Sequence, residues 1–284
     1  MKSPSHGLPS ILRLLVPILA ALAALVGVVL APPAQAARAP SGLALHTPAW
    51  WSVYDDPWLH ELLARSSARP GLVLRGYVEL RVAVLRASIA ERMHELSVDR
   101  LHRLERQLAK GETGASLDPA RQQAHRCTLL RRAAAADAEY RLVLLAAVTG
   151  EDAESLRPRF DADVPLPQVS APLPTAEPRS VRQDDPSSLE REWARQALLD
   201  AAERAQRSLA LLQAAQLQRE AVRLRQGAQA AGEDAAAEPE LAWLAQAAQA
   251  AGDSGALALA WSQWLQAGGA AFLQPTARAP SSPS

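Results

Sequence analysis

Apolar side chains recur every three to five residues over long stretches of this chain, the spacing that lines one face of a helix. The first stretch is short. Trp58, Leu59, Leu62 and Leu63 follow Pro57, with Asp55 or Asp56 placed to cap a helix that ends near Arg69-Pro70-Gly71. From about Arg75 to Lys110, Val78, Val82, Leu85, Ile89, Met93, Leu96, Leu101, Leu104 and Leu108 keep helical spacing. A helix of that length reaches roughly 54 Å at about 1.5 Å per residue. Its beginning also alternates like a strand, at Leu74, Gly76, Val78, Leu80 and Val82. "KGETGASLDPAR" then breaks the pattern at Gly111 and Gly114 and restarts it, with Asp118 as cap and Pro119 at the first helical position. The return helix runs to about Val148 through Ala124, Cys127, Leu130, Ala134, Ala138, Leu142 and Leu145, and stops at Thr149-Gly150. Small residues on that stripe favour close helix approach.

Residues 161–186 are proline-rich without apolar periodicity, which predicts an extended connection. Beyond it the layout recurs. Asp185-Pro186 opens a helix through Leu189, Trp193, Ala197, Ala201, Ala205, Leu209, Leu212 and Val222; a break follows around Gly227 and Gly232. Leu241 to Leu265 then returns, with an interruption expected near "GDSG". The expected fold class is all-α: two repeated long antiparallel helical hairpins, coiled-coil-like, over 37–160 and 187–272, with a disordered tail at 273–284.

Composition supports the helical reading, because alanine and leucine dominate while Phe, Tyr and Ile are scarce. At 284 residues with 49% hydrophobic content, the chain is too apolar to be disordered throughout. Thirty basic side chains balance thirty acidic ones, and no segment carries the one-sided positive field that nucleic acid requires. Residues 1–36 read as a signal peptide: Lys2 and Arg13 precede a charge-free apolar run from Leu14 to Leu30, and Ala34-Gln35-Ala36 supplies a small-x-small cleavage pattern. The same run lies at the short end of membrane-spanning lengths, so an uncleaved anchor is the alternative. Cys127 is the only cysteine, which excludes an intrachain disulfide and leaves none near the cleavage site to take a lipid. The expected destination is the periplasm or the cell outer membrane.

In chain order, "WWSVYDDPWLHELLARSSARPGL", "RQLAKGETGASLDPARQQA" and "ALALAWSQWLQAGGA" are stretches that resemble the TolC-type outer-membrane efflux proteins. "WWSVYDDPWLHELLARSSARPGL" is similar to the segment introducing that family's first repeat, and "RQLAKGETGASLDPARQQA" resembles its helix-turn pattern, onto which Arg106, Gly111, Ser116 and Asp118 fall. "LVLLAAVTGE" resembles the close of the first repeat, "RQDDPSSLERE" the opening of the second and "ALALAWSQWLQAGGA" its end. The resemblance implies a subunit of a tripartite efflux or type I secretion system, trimeric, partnered by a periplasmic adaptor and an inner-membrane pump, without cofactor. Gly111, Asp118, Gly232 and Glu238 would mark the helical tips that meet the adaptor. The chain departs from the family where barrel strands belong: only residues 72–84 offer alternation long enough for one, whereas a barrel needs several. That predicts a shortened member retaining the helical part; a periplasmic coiled-coil scaffold that forms no channel is the alternative.

Catalytic and metal chemistry find little support. Glu91 and His94 have the i,i+3 spacing of di-iron bundles, but no second such pair accompanies them. His125 and Cys127 point about 200° apart on a helix, and Ser116 with Asp118 lacks a histidine. Cys127 is expected to be a small buried residue and Trp50, Trp51 and Trp58 a local packing cluster, with anchoring at a membrane interface as the alternative for the tryptophans. No catalytic, metal or cofactor residue is assigned.

Overall fold

A computed structural model of the chain describes residues 50–66, 69–111, 116–160, 165–169, 171–174, 186–228 and 234–269. The expected signal peptide, Gly114, Asp185, Gly232 and the tail lie outside the described residues. Every regular element among the described residues is helical: α1 (Pro57–Arg65), α2 (Pro70–Ala109), α3 (Asp118–Thr149), α4 (Ala153–Leu156), α5 (Pro186–Ala228) and α6 (Asp234–Trp264). Short 3-10 turns flank α1 and α4, and a π-type turn follows α6.

Local chemistry explains where α1 starts. Asp56 is extended, at φ −149° and ψ 98°, and its Oδ1 accepts the Leu59 N–H at 3.0 Å, so Asp56 and not Asp55 is the cap. Pro57 follows at the first helical position, where its missing N–H costs nothing. The strand-like alternation of Leu74 to Val82 lies wholly inside α2. Apolar residues there satisfy both periods, and burial decides between them: Val73, Leu74, Tyr77, Val78 and Leu80 are all essentially inaccessible, a set that fits a helical stripe flanked on two sides. The candidate barrel segment at 72–84 is therefore helix.

α2 and α6 lie at the centre; α3 packs on α2, and α5 on α6. α3 runs antiparallel to α2, since Arg141 pairs with Glu79 near one end while Arg131 reaches Glu91 at 3.3 Å further along. α6 is likewise antiparallel to α2: Gly71 lies against Gln266, and Arg100 binds Glu238 at 2.8 Å. One apolar cluster gathers α1, the start of α2, the ends of α3 and α6 and the start of α5, around Leu59, Leu74, Leu145, Leu198, Trp261 and Trp264. A second joins Leu85 and Ile89 to Leu209, Leu212, Trp243 and Leu244. Each fully buried leucine contributes about 1.5–3 kcal/mol, and burial fades beyond these clusters: Leu108, counted in the α2 stripe, is 44% exposed.

The interruption expected at "GDSG" does not occur, because α6 passes through Gly252 and Gly255 unbroken. A Cβ on Gly255 would overlap Val82, and one on Gly252 would overlap the Arg86 guanidinium. At Gly255, against the stiff Val82, close packing of α6 on α2 offsets a helix-propensity cost of about 1 kcal/mol, whereas the Arg86 side chain beside Gly252 can swing aside. Gly227 likewise stays within the last turn of α5.

The proline-rich connection is irregular where it is described, yet anchored. Asp55 N donates to Gln168 O at 2.8 Å, Tyr54 and Val169 form an isolated antiparallel bridge, and Val169, Ala171 and Leu173 pack on the first cluster.

Candidate partner-binding site

The three tryptophans near the start of the described chain all pack against the first apolar cluster, as two sets of ring contacts. Trp50 and Trp51 meet edge-on, with centroids 5.5 Å apart, while Trp58 packs on Tyr77 and Phe160 at 5.2 and 4.9 Å. Inside that second group lies the buried Arg81, whose guanidinium carbon sits 4.8 Å from the Phe160 centroid and 5.3 Å from that of Tyr77. Arg81 donates through Nε and Nη2 to the Tyr77 hydroxyl at 3.2 and 3.1 Å, and that hydroxyl donates to Asp56 Oδ2 at 2.6 Å. Burial, above all, pushes the Tyr77 phenol far above its ordinary range, and burial does the same to Tyr54, whose hydroxyl donates to Ala258 O at 2.8 Å. Both phenols stay protonated and act as fixed donors. The cap of α1, a buried cation and three rings thus lock α1 onto α2. The sequence reading missed Arg81, since one charge inside an apolar stripe looks like any solvated arginine.

The residues with candidate chemistry are dispersed. Glu91 accepts from Arg131, and His94 Nδ1 lies 3.3 Å from Thr128 Oγ1 on the neighbouring helix. Cys127 is fully buried with Gln123 Nε2 3.5 Å from its sulfur, while His125 faces solvent. No group of three or more potential metal ligands occurs among the described residues.

At the expected tips, Gly111 follows the end of α2 with φ +70°, a left-handed conformation that glycine adopts without strain. Asp118 is not the cap of the return helix. It is already the first residue of α3, preceded at the cap position by Leu117 at φ −75° and ψ −16°, whose side chain has no group to accept a hydrogen bond. Ser116 Oγ instead accepts the Asp118 N–H at 3.4 Å, and the Asp118 carboxylate lies 3.9 Å from Arg121. Glu238 lies inside α6 and pairs with Arg100, tying α6 to α2. On the side of α6 that meets α5, Glu240 is buried between Arg219 at 3.3 Å and Arg223 at 3.4 Å, with Arg219 4.2 Å above the Trp243 ring.

The sequence reading also missed a second apolar face on α3 and α5. Leu130 belongs to the outer side of α3, at 52% exposure, and Leu189 and Trp193 to that of α5, with Trp193 75% exposed. The inward register of α5 is Leu198, Ala201, Ala205, Leu209 and Leu212, so the stripe drawn from Leu189, Trp193 and Ala197 faces solvent. Opposite the inner face of α3, Leu129, Ala133, Ala136, Tyr140, Val143 and Ala147 alternate four- and three-residue steps in the open. On α5, Ala210, Ala214, Leu217, Ala221 and Leu224 do the same. Exposed apolar residues at heptad spacing make a seam for another helix.

No family model, curated protein or solved structure matches the chain. None of its described helices is long and apolar enough to cross a membrane. Its two outer helices, α3 and α5, each carry an apolar stripe on both faces.

Proposed function

We propose that the chain is an outer-membrane-factor-like subunit of a tripartite efflux or type I secretion system, exported to the periplasm, that contributes helical wall and docking surface. In this reading α2 with α3 and α5 with α6 are two repeated coiled-coil-like hairpins. The observation that carries it is the pair of outer helices: α3 and α5 keep an exposed heptad stripe opposite the one they bury, as a segment of a longer helical wall needs on both edges. Gly111 and the start of α6 belong to the end that would meet an adaptor. The resemblance supplies the family, and the ordered stripes support it physically.

Epitope-tagged chain is separated into periplasmic and outer-membrane fractions of its host, then cross-linked from a photoreactive residue at position 111. Recovery with envelope fractions and a cross-link to a periplasmic adaptor is expected. Residence in the cytoplasm, or no envelope cross-link, would overturn the reading. One observation favours a second reading, a scaffold that forms no channel: residues 72–84 are helix. Detergent dependence separates the two, because a subunit of the outer-membrane conduit fractionates with outer membrane and a scaffold does not; the chain alone should be silent in a planar bilayer under both readings.

A further inference from the structure

The outer face of α3 carries charge as well as apolar surface, and the charge is one-sided. Its acidic groups are already neutralised within the molecule: Asp137 lies 3.3 Å from Arg141 Nε, and Glu139 takes two hydrogen bonds from Arg157. Arg131 and Arg141 are likewise engaged, with Glu91 and Glu79. Arg126 and Arg132 flank the exposed stripe and meet no carboxylate among the described residues. The stripe from Leu129 to Ala147 spans about 27 Å, with Tyr140 59% and Val143 57% exposed at its centre.

We infer that the outer face of α3 is the docking seam for an amphipathic helix of another protein, one with apolar residues at heptad spacing and carboxylates on its flanks. The apolar stripe provides the knobs-into-holes contact, and Arg126 and Arg132 select an acidic helix and set its register. A second copy of this chain fits less well. Pairing α3 with itself leaves the four arginines without acids, and α5 sets Arg204 and Arg225 among exposed acids, of which Asp200 and Glu220 already accept from Gln196 and Gln216. The inference stands apart from the export reading, since it concerns one face and holds whichever assembly the chain joins.

The test uses chain purified after expression of the full sequence and two fluorescent 21-residue peptides with identical leucine-alanine heptads, one flanked by glutamates and the other by lysines. Anisotropy should show the glutamate peptide binding at least ten-fold tighter than the lysine peptide, with the difference shrinking as salt rises. Arg126→Glu with Arg132→Glu should reverse the order of the two peptides. Tyr140→Glu should weaken the glutamate peptide at least ten-fold, whereas Leu217→Glu on α5 should leave it unchanged. All four substitutions are at exposed positions, and circular dichroism checks that each variant keeps its helix. Equal affinity for the two peptides, no binding, or the same loss from Leu217→Glu would overturn the inference. So would a dimer in light scattering that Tyr140→Glu dissociates, which would assign the face to a second copy. Binding to phosphatidylglycerol vesicles that Tyr140→Glu abolishes, without preference between peptides, would assign it to a lipid surface.

Discussion

The contact between α2 and α6 at Gly255 makes a quantitative test of the core. Replacing Gly255 by alanine in an ordinary helix interior stabilises by about 0.8–1 kcal/mol through helix propensity. Here the new methyl would overlap Val82 Cγ2, with Val78 Cγ1 at 3.7 Å behind it. Valine has one preferred rotamer in a helix, so the clash must be relieved by moving α6 away from α2. Overpacking of this kind costs about 1–3 kcal/mol, which outweighs the propensity gain. The expected outcome for Gly255→Ala is a net loss of about 1 kcal/mol, a fall of roughly 2–4 °C in melting temperature for a domain of this size. Adding Val82→Ala removes the obstructing methyls, so the double variant should be more stable than the sum of the single effects by about 1 kcal/mol or more. Urea denaturation followed by circular dichroism at 222 nm reads all four corners of the cycle. If Gly255→Ala stabilises by the full propensity value, with no coupling to Val82, the helices do not meet at this glycine.

Asp56→Ala removes both the α1 cap and the acceptor for the Tyr77 hydroxyl, so chemical denaturation should show a loss of about 2–3 kcal/mol, against about 1 kcal/mol for Tyr77→Phe. Glu240→Leu leaves the nearly buried Arg219 without its carboxylate and should cost about 2–4 kcal/mol, whereas Glu238→Ala, at an exposed pair, should cost less than about 0.5 kcal/mol. Hydrogen bonding from Arg157 holds the Glu139 carboxyl below its ordinary range. Its contribution is therefore present above the ordinary carboxylate pKa and disappears as pH falls through the depressed value. The pair is exposed, so the difference in melting temperature between Glu139→Gln and the parent should be small at neutral pH, vanish in acid and shrink in high salt.

Helix positions were legible because propensity and apolar spacing agree over most of α2, α3, α5 and α6, and the Asp56-Pro57 start follows from local capping alone. Other features were not, each for a physical reason. Leu74 to Val82 fits a period of two as well as one of 3.6, and burial on two sides of α2 selects the helix. Gly252 and Gly255 look like breakers, since a sequence does not show the neighbouring helix that packs against them. Trp193 and Leu130 were placed inward because apolar character does not say which of two stripes on one helix is buried. Arg81 was hidden for a related reason: its burial depends on Phe160, 79 positions away, and on the rings of Trp58 and Tyr77. At the tips the reading placed Gly111 correctly and misplaced the cap, by one residue, at Asp118.

The hydrogen bond from Tyr54 to Ala258 closes a loop of 204 residues, and Asp55 beside it is held by Gln168. During synthesis at about 5–20 residues per second, roughly 10–40 s pass between the emergence of Tyr54 and of its acceptor. α1 and the first turns of α2 spend that time without the cover of Trp261 and Trp264, which follow them by nearly the whole described chain. A nascent chain halted before residue 258 would present Tyr54, Leu59 and Leu74 to whatever chaperone is at hand. The two ends of the described chain thus set a waiting period before the first apolar cluster can close.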